Sequence, residues 1–457
     1  MPMNKVVHAA QRAAFSAAID AAINAVRGKG PENMAAQAVK LVNLAQPLLA
    51  HRYPDADWDK VRSFVSDPNS KWMEYAYKAI NEIDPHILKM NTLNLVYEGM
   101  FAGYNYVMEL RKKYDCNMPW ILLFDPTSAC NLHCKGCWAA EYGNRLNLSF
   151  EDMDRIVTQG KELGIYLYFF TGGEPLVRKD DIIRLCEKHD DCGFHAFTNG
   201  TLIDEKFCQE MKRVGNFSVA ISLEGFDEVN DLRRGKGVFD KVMHAMDLMK
   251  QYGLIFGTSI CYTSKNYKVV TSDEFLDMII EKGARFSWYF HYMPVGNDAS
   301  TELLLDPDQR EYMYHCIREI RAMKGGKPIF AFDFQNDGEY VGGCIAGGRN
   351  YCHINPNGDV EPCVFIHYSG ANIKEVDLLT ALKQPLFMAY RANQPFNCNH
   401  LKPCPMLENP EILQRMVHET GAHSTDLQSP ESVEHLCGKC AEYAKNWDER
   451  AQELWNK

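Results

Sequence analysis

The spacing of apolar residues changes character near residue 115. Upstream of that point, apolar side chains recur every three or four positions, first in Ala-rich stretches and then in aromatic ones, which is the spacing of amphipathic helices. Prolines separate these stretches, as they do at helix boundaries. The pattern predicts helices over 9–25, 34–50, 72–83 and 92–114, and hence a helical N-terminal domain over residues 1–115.

Between residues 116 and 335, short apolar runs alternate with amphipathic stretches. The runs predict strands at 119–124, 166–170, 195–197, 217–222, 255–261 and 286–292, and the stretches between them predict helices at 150–163, 180–189, 205–214, 239–252 and 272–282. Alternating strands and helices indicate a parallel sheet with helices outside it. Six such units are fewer than the eight of a closed barrel, so we expect an α/β fold with a partial (β/α)6 barrel.

A third region, residues 336–457, is small and rich in cysteine. Its sequence INPNGDVEP places Asn357 and Gly358 between two short apolar runs, which predicts a β-hairpin. Asn409 and Pro410 favour the start of a helix, and a further amphipathic helix is expected over 441–455. Seven thiols lie in this region: Cys344, Cys352, Cys363, Cys398, Cys404, Cys437 and Cys440.

Composition narrows the class of protein. The chain has 457 residues, of which 46% are hydrophobic and 24% charged, as in a globular protein with a sizeable core. A net charge of −11 argues against broad nucleic-acid binding, which needs a basic face. Polar residues interrupt the N-terminal apolar stretch, so we expect neither a signal peptide nor a transmembrane segment. Sixteen cysteines in a chain of this size favour a reducing, cytoplasmic and anaerobic setting.

Three of the thiols follow the first predicted strand. Cys130, Cys134 and Cys137 have the spacing CxxxCxxC within residues 125–137, at the end of a strand where α/β folds build their sites. Three thiolates can hold three irons of a cubane and leave the fourth open to a substrate. A structural zinc usually has four ligands, and His133 beside Cys134 on one metal would strain the loop. A disulfide would leave one thiol unpaired, so an iron–sulfur cluster is favoured.

The segment CNLHCKGCW resembles the signature of the radical S-adenosylmethionine (SAM) enzymes. The resemblance implies that Cys130, Cys134 and Cys137 bind a 4Fe–4S cluster whose open iron chelates SAM. It further implies reductive cleavage of SAM to a 5′-deoxyadenosyl radical, which takes a hydrogen atom from a substrate. The family fold it implies is the same partial barrel that the alternating pattern predicts.

Further motifs stand at the ends of later strands and resemble SAM-binding segments of that family. These are TGGEP, TNG, ISLEG, RRGKG and YMPVG, of which the first three would each be ordinary turn chemistry if they stood alone. Glu174 is expected to accept from the SAM amino group, Arg234 rather than Arg233 to pair with its carboxylate, and Met293 to touch its adenine. The resemblance extends to the rest of the predicted SAM contacts: Trp138, Thr171, Gly172, Gly173, Asn199, Ser222 and Glu224.

The opening of the Cys-rich region resembles the SPASM/Twitch domains, which bind auxiliary iron–sulfur clusters. Its later spacings depart from their pattern, since Cys398 and Cys404 are further apart than expected and Cys437 and Cys440 come much later. All seven thiols are candidate ligands for one or two clusters, although seven cannot fill two clusters of four. The pair Cys437–Cys440 alone would also suit a zinc or a redox dithiol. The remaining six thiols, Cys116, Cys186, Cys192, Cys208, Cys261 and Cys316, are expected to be inert.

The sequence therefore predicts a radical SAM enzyme with SAM, a 4Fe–4S cluster and one or two auxiliary clusters as cofactors. A low-potential donor such as flavodoxin or ferredoxin is expected to reduce it. The substrate stays open between a peptide or protein and a lipid or small molecule joined by C–C bond formation. The aromatic helix over 92–114 suits an apolar substrate. An iron–sulfur electron carrier or redox sensor without SAM turnover is the alternative.

Overall fold

The structure is a computed structural model and describes residues 5–49 and 56–456. Within the described residues, the N-terminal region is built from helices. Its helices are α1 (Lys5–Val26), α2 (Pro31–Leu49), α3 (Trp58–Ser66), α4 (Lys71–Glu82), α5 (Pro85–Thr92) and α6 (Tyr104–Tyr114). A π-helical segment, Leu93–Gly103, joins α5 to α6. Ala50, the last residue of the second predicted helix, lies outside the described residues. Side chains of Ser70 and Asp84 cap α4 and α5.

The alternating region folds into a parallel sheet, and the order of its elements is the predicted one. Its strands are β1 (Ile121–Phe124), β2 (Leu167–Phe170), β3 (Gly193–Thr198), β4 (Phe217–Ser222), β5 (Phe256–Tyr262), β6 (Phe286–His291) and β7 (Phe330–Asp333). Its helices are α7 (Phe150–Glu162), α8 (Lys179–Lys188), α9 (Glu205–Val214), α10 (Asp227–Arg234), α11 (Val238–Gln251), α12 (Asp273–Glu281), α13 (Pro307–Ile320) and α14 (Gly338–Val341). The six predicted strands are all present, and β7 adds one that the sequence pattern did not indicate.

The Cys-rich region continues the same sheet. Its strands are β8 (Tyr351–Ile354), β9 (Val360–Glu361), β10 (Tyr368–Ser369) and β11 (His423–Ser424), and its helices are α15 (Leu378–Ala381), α16 (Pro385–Asn393), α17 (Pro410–Thr420) and α18 (Val433–Trp455). Strand β8 pairs in parallel with β1, and β9 returns antiparallel to β8. The described sheet runs in the order β7-β6-β5-β4-β3-β2-β1-β8-β9. The sheet contains strands from both sides of residue 335 and therefore does not mark a boundary there, so the domain boundaries stay predictions.

Two hydrophobic clusters hold these layers together. The larger packs the sheet against its outer helices, with residues such as Phe124, Ile221 and Met246 fully buried. The second lies between the barrel and the C-terminal region and includes Met293, Tyr390 and Trp447. The residues that follow β6 therefore face the Cys-rich region. Among the helices described, none is long and apolar enough to cross a membrane.

Candidate functional site

A cavity of about 1290 Å³ runs through the interior of the partial barrel that the sheet forms. All three thiols of the CxxxCxxC loop line one end of it, together with residues from the strand-end motifs. The inward-facing side chains of the strands line its length, and residues of the π-helical segment line the other end. The volume exceeds the roughly 300–1,000 Å³ of ordinary small-ligand pockets. The cavity can therefore hold more than a single cofactor.

The thiol loop is fixed by close backbone packing. Gly136 has φ +65°, and a Cβ there would lie 2.8 Å from the ring of Tyr292, so a larger residue would displace the ring. The backbone N–H of Leu132 points at Cys130 Sγ across 3.4 Å. Such N–H groups stabilise sulfur ligands of iron–sulfur clusters. The loop thus holds its thiols in an arrangement that fits a cluster.

Burial favours the neutral form of two of these thiols, Cys130 and Cys134, in the absence of a cation. It raises the pKa of Cys130 to about 11, and it raises the pKa of Cys134 against the opposing effect of Arg234. A metal supplies the positive charge that stabilises the thiolates. Among the described residues, no three His, Cys, Asp or Glu side chains converge on the position of a single ion. Three thiols that bind different irons of one cluster do not need to converge in this way.

The TGGEP segment packs directly on the thiol loop. A Cβ on Gly173 would lie 2.3 Å from the carbonyl oxygen of Ala129, and the N–H of Glu174 donates to that same oxygen at 2.8 Å. The two glycines thus allow the segment to approach the loop backbone. Thr171, Gly172, Gly173 and Glu174 all line the cavity.

The carboxylate of Glu174 is buried and has protein partners. Its Oε1 accepts from Thr198 Oγ1 at 2.6 Å and from the N–H of Leu176 at 3.0 Å, and its Oε2 accepts from the N–H of Asn199 at 2.7 Å. Burial raises its pKa, and these hydrogen bonds oppose the rise. Glu174 therefore orders the end of β3, and its contact with a SAM amino group stays a prediction.

The other predicted SAM contacts lie around the same end of the cavity. Asn199, Ser222, Met293 and Trp138 all line it. Asn199 Nδ2 lies 4.0 Å from Cys130 Sγ. The Trp138 ring packs edge-on against rings of the C-terminal region, with a centroid distance of 6.1 Å to Phe365. These residues surround one space, which is the arrangement that a shared ligand requires.

Two arginines and one carboxylate form a charged group beside the thiols. Glu224 is buried, and its Oε1 accepts from Arg233 Nη1 at 2.7 Å and from Arg234 Nε at 3.0 Å. Arg234 Nη1 lies 3.9 Å from Cys134 Sγ. Both arginines line the cavity, whereas Glu224 is not part of its wall. The geometry makes Glu224 the residue that orients the arginines, and its direct contact with SAM stays a prediction.

Three thiols of the Cys-rich region come together on the wall of the same cavity. Cys344, Cys363 and Cys404 line it, and the pKa of Cys404 is raised by burial and further by its two thiol neighbours. Tyr351 Oη lies 2.8 Å from Cys363 Sγ. The N–H groups of Met406 and Leu407 both point at Cys404 Sγ across 3.4 Å. This donor set resembles the CxxxCxxC loop and fits a second cluster.

The remaining candidate thiols lie elsewhere. Cys352 lies in β8 and packs in the larger hydrophobic cluster, so it is separated from its sequence neighbours Cys344 and Cys363. Cys398 is exposed and does not line the cavity. Cys437 and Cys440 are buried one turn apart on α18, which begins eight residues before the predicted helix start. The structure thus divides the seven candidates into a cavity-lining trio and four others.

A buried polar network next to Trp138 was not foreseen from the sequence. His353 lies between Asp125 and Glu361, at 3.0 Å and 2.7 Å from their carboxylate oxygens, and Tyr142 Oη donates to Glu361. The two carboxylates raise the pKa of His353 to about 10 against the effect of burial. Alternation along β8 could have placed His353 opposite Cys352, and Glu361 is close in sequence, but Asp125 comes from a segment more than two hundred residues away.

Comparison with known proteins agrees with this geometry. Residues 124–279 match the sequence model of the Radical SAM superfamily, and residues 344–405 match that of SPASM, an iron–sulfur cluster-binding domain. An Fe-coproporphyrin III synthase of Methanosarcina barkeri is 27% identical over 233 residues, covering 48% of this chain and 57% of that one. An uncharacterised protein of Archaeoglobus fulgidus is 35% identical over 280 residues, covering 57% and 63%. The chain thus spans less than two thirds of the length of these relatives.

Solved structures share the fold. SuiB of Streptococcus suis bound to S-adenosylmethionine superimposes with a TM-score of 0.56 at 18% identity, covering 79% of this chain and 91% of that one. SuiB bound to the precursor peptide SuiA gives a TM-score of 0.55 at 20% identity, covering 71% and 76%. At this identity the likeness is one of fold. It confirms the expected fold class, a parallel α/β barrel between a helical N-terminal region and a C-terminal SPASM domain.

Proposed function

We propose that this chain, which carries a radical SAM domain and a SPASM domain, is an enzyme that uses SAM to remove a hydrogen atom from its substrate. The observation that carries the proposal is the cavity, because the thiol loop, the strand-end motifs and the arginine pair all open onto it. When bound, a 4Fe–4S cluster supplies the electron that cleaves SAM to a 5′-deoxyadenosyl radical. The chain's own residues position the reactants and exclude water.

Each part of the site has a distinct task in this proposal. Cys130, Cys134 and Cys137 would hold the cluster. Arg234 carries a guanidinium suited to the SAM carboxylate, and Glu224 fixes its orientation. The remaining cavity-lining motif residues, Thr171, Gly172, Gly173, Asn199, Ser222, Met293 and Trp138, would surround SAM. Holding the reactants in a fixed orientation contributes much of the rate enhancement in a site of this kind.

The trio Cys344, Cys363 and Cys404 would hold one auxiliary cluster. It faces the cavity that also contains the first thiol loop, so a cluster held there would be open to the same space as the substrate. We further propose a low-potential donor of the flavodoxin or ferredoxin type and a reducing cytoplasm, since free thiols persist in a reducing compartment and the proposed clusters need protection from oxidation. A carrier or sensor without SAM turnover leaves the large cavity and its strand-end motifs without a role.

The test is anaerobic reconstitution followed by reduction in the presence of SAM. We expect formation of 5′-deoxyadenosine, and we expect Cys134→Ala to abolish it. Cys316→Ala is the matched control, because this thiol is half-buried on α13 and does not line the cavity. Intact clusters without any SAM cleavage would favour the electron-carrier alternative.

A further inference from the structure

The cavity continues past the thiols as a tunnel through the barrel, and its wall is mostly aromatic. The tunnel is the part lined by inward-facing residues of β2, β3, β6 and β7 and by the residue that follows β7. Its aromatic side chains are Phe169, Phe197, Trp288, Phe290, Phe332 and Phe334. Along β6 alone it runs beside Phe286 to His291, a rise of about 16 Å at ~3.3 Å per residue. A wall of this kind and length matches a long apolar ligand.

The tunnel exists because small residues face the aromatic wall. Inward-facing positions of β4 and β5 carry Ser218 and Ser259, whereas a closed barrel fills such positions with bulky branched side chains. The aromatic side chains of Phe169, Phe197 and Trp288 are only half-buried, although they lie inside the barrel. The interior of the barrel is therefore not filled by its own side chains.

The far end of the tunnel has an apolar mouth. Leu95, Val96 and Met100 of the π-helical segment line the cavity and are 43%, 37% and 49% exposed to solvent. The segment lies directly on the barrel, since a Cβ on Gly103 would meet the carbonyl oxygen of Gly164 at 2.4 Å. A π-helical stretch in a helix often marks a functional position. Solvent-exposed apolar side chains at a tunnel opening favour entry of an apolar molecule.

One buried polar side chain lies in the wall of this apolar space. His195 is 6% exposed and lines the cavity between Phe169, Phe197 and Phe286, and its Nδ1 lies 2.9 Å from Ser218 Oγ. Its Nε2 has no hydrogen-bond partner among the described residues. A buried polar atom without a partner is costly, so a ligand group is expected to complete it.

We propose that the tunnel binds a substrate with a long hydrocarbon chain, of the acyl or isoprenoid kind, and one oxygen-bearing group that pairs with His195 Nε2. The chain enters between Leu95, Val96 and Met100 and brings one of its carbons to the thiol end. The proposal rests on the proposed function for its chemistry, because the abstracted hydrogen is one on that carbon. A hydroxyl pairs with either tautomer of His195, and an ester or ether oxygen pairs with the tautomer that carries Nε2–H.

A peptide fits this space less well. Every peptide residue brings a backbone N–H and C=O that must be satisfied when buried. Along Phe286, Trp288 and Phe290 the wall offers only the indole N–H of Trp288, and the side chains of Phe330 and Phe332 on β7 offer no hydrogen-bonding group. A hydrocarbon chain has no such requirement.

The experiment measures chain binding separately from catalysis. The reconstituted native protein is titrated under anaerobic conditions with cis-parinaric acid as a fluorescent chain probe, and the probe is then displaced by hexadecanol, phytol or hexadecane. We expect both alcohols to displace it better than the alkane. The ratio of hexadecanol to phytol distinguishes a straight acyl-type chain from a branched isoprenoid one. Displacement by an apolar peptide but by neither alcohol would overturn the proposal.

Two variants locate the binding. Leu95→Glu is expected to weaken probe binding roughly tenfold, since it places a charge at the mouth. Leu44→Glu is the control, because Leu44 is also an exposed helical leucine, on α2, but does not line the cavity; this variant is expected to bind as the native protein does. His195→Phe keeps a ring in place and is expected to remove most of the preference for alcohol over alkane. If Leu95→Glu and Leu44→Glu weaken probe binding equally, the chain does not enter at the mouth formed by Leu95, Val96 and Met100.

The same samples separate the two proposals. SAM cleavage by the native protein without chain binding would overturn the tunnel inference and leave the proposed function in place. Chain binding without SAM cleavage would support the tunnel as a chain site and refute the proposed function. Circular dichroism and iron content of each variant show whether it has folded.

Discussion

Single thiols in the Cys-rich region have different tasks although they stand close in sequence. Cys363 lies on the cavity wall beside Tyr351, whereas Cys352 packs on the other side of β8 in the hydrophobic core. In a background where Cys130, Cys134 and Cys137 are replaced by alanine, we expect Cys363→Ala to remove most of the remaining iron. Cys352→Ala is expected to keep it. Iron and sulfide analysis after reconstitution measures both, and loss of iron in both variants would contradict the assignment.

His195 gives the fold a dependence on acid that can be measured. Burial lowers its pKa to about 3, so the folded protein keeps it neutral while the unfolded chain protonates it below about 6.5. Stability is therefore lost as the pH falls from about 6.5 towards 3. Between pH 7 and pH 5 we expect the native free energy of unfolding to fall by about 2 kcal/mol more than that of His195→Phe. Denaturant titrations at both pH values test this, and parallel losses would contradict it.

The sequence predicted which residues surround the site more readily than what each one contacts. Thr171, Asn199 and Arg234 do line one cavity. Glu174 and Glu224 are occupied by protein donors, because a buried carboxylate must be paired, and the partners come from the end of β3 for Glu174 and from α10 for Glu224. The period of a strand could have separated Cys352 from Tyr351, whose side chain faces Cys363. The unpartnered Nε2 of His195 could be seen only in the folded barrel.

At the scale of elements, the close approach of two loops decides whether the first cluster can form. A Cβ on Gly173 would lie 2.3 Å from Ala129 O, and backbone cannot yield as a flexible side chain does. We expect Gly173→Ala to reduce the iron bound by the CxxxCxxC loop and to abolish SAM cleavage. Gly438→Ala on α18 is the control, since nothing lies within 4 Å of its added Cβ and alanine favours a helix. Normal iron content in Gly173→Ala would refute this packing argument.

The elements of the barrel were predictable where they repeat and not where they depart from the repeat. The six predicted strands have buried apolar runs and flanking turns, and they occur in the expected order. Strand β7 is only four residues long and starts at exposed Phe330, so its pattern is weak. The hairpin around Gly358 was predicted from Asn-Gly, and its φ of +100° agrees. Its parallel pairing with β1 depends on contacts 230 residues apart, which no local pattern encodes.

The whole molecule is tied together by a buried ion pair between the barrel and the C-terminal region. Arg310 of α13 and Glu408 are both fully buried and lie 2.7 Å apart. Arg310 also donates to Asn336 Oδ1, Tyr443 Oη and Leu401 O. Glu408 Oε2 accepts from the N–H of Cys404, which links the pair to the proposed auxiliary cluster. The same residues thus join the packing of two regions to the position of a thiol.

Breaking this pair from one side should cost more than replacing both partners. We expect Arg310→Met to lower the free energy of unfolding by about 3–5 kcal/mol, because it leaves Glu408 buried without a counter-charge. The double variant Arg310→Met/Glu408→Gln should recover most of that loss, since Gln still accepts from Cys404 N–H and carries no charge. Arg213→Met, which removes exposed ion pairs on α9, should show little change. Anaerobic denaturant titration measures the free energy of unfolding of all three variants. If the double variant is no more stable than Arg310→Met, the two regions are held together by the packing of Arg310 on Trp447 rather than by its charge.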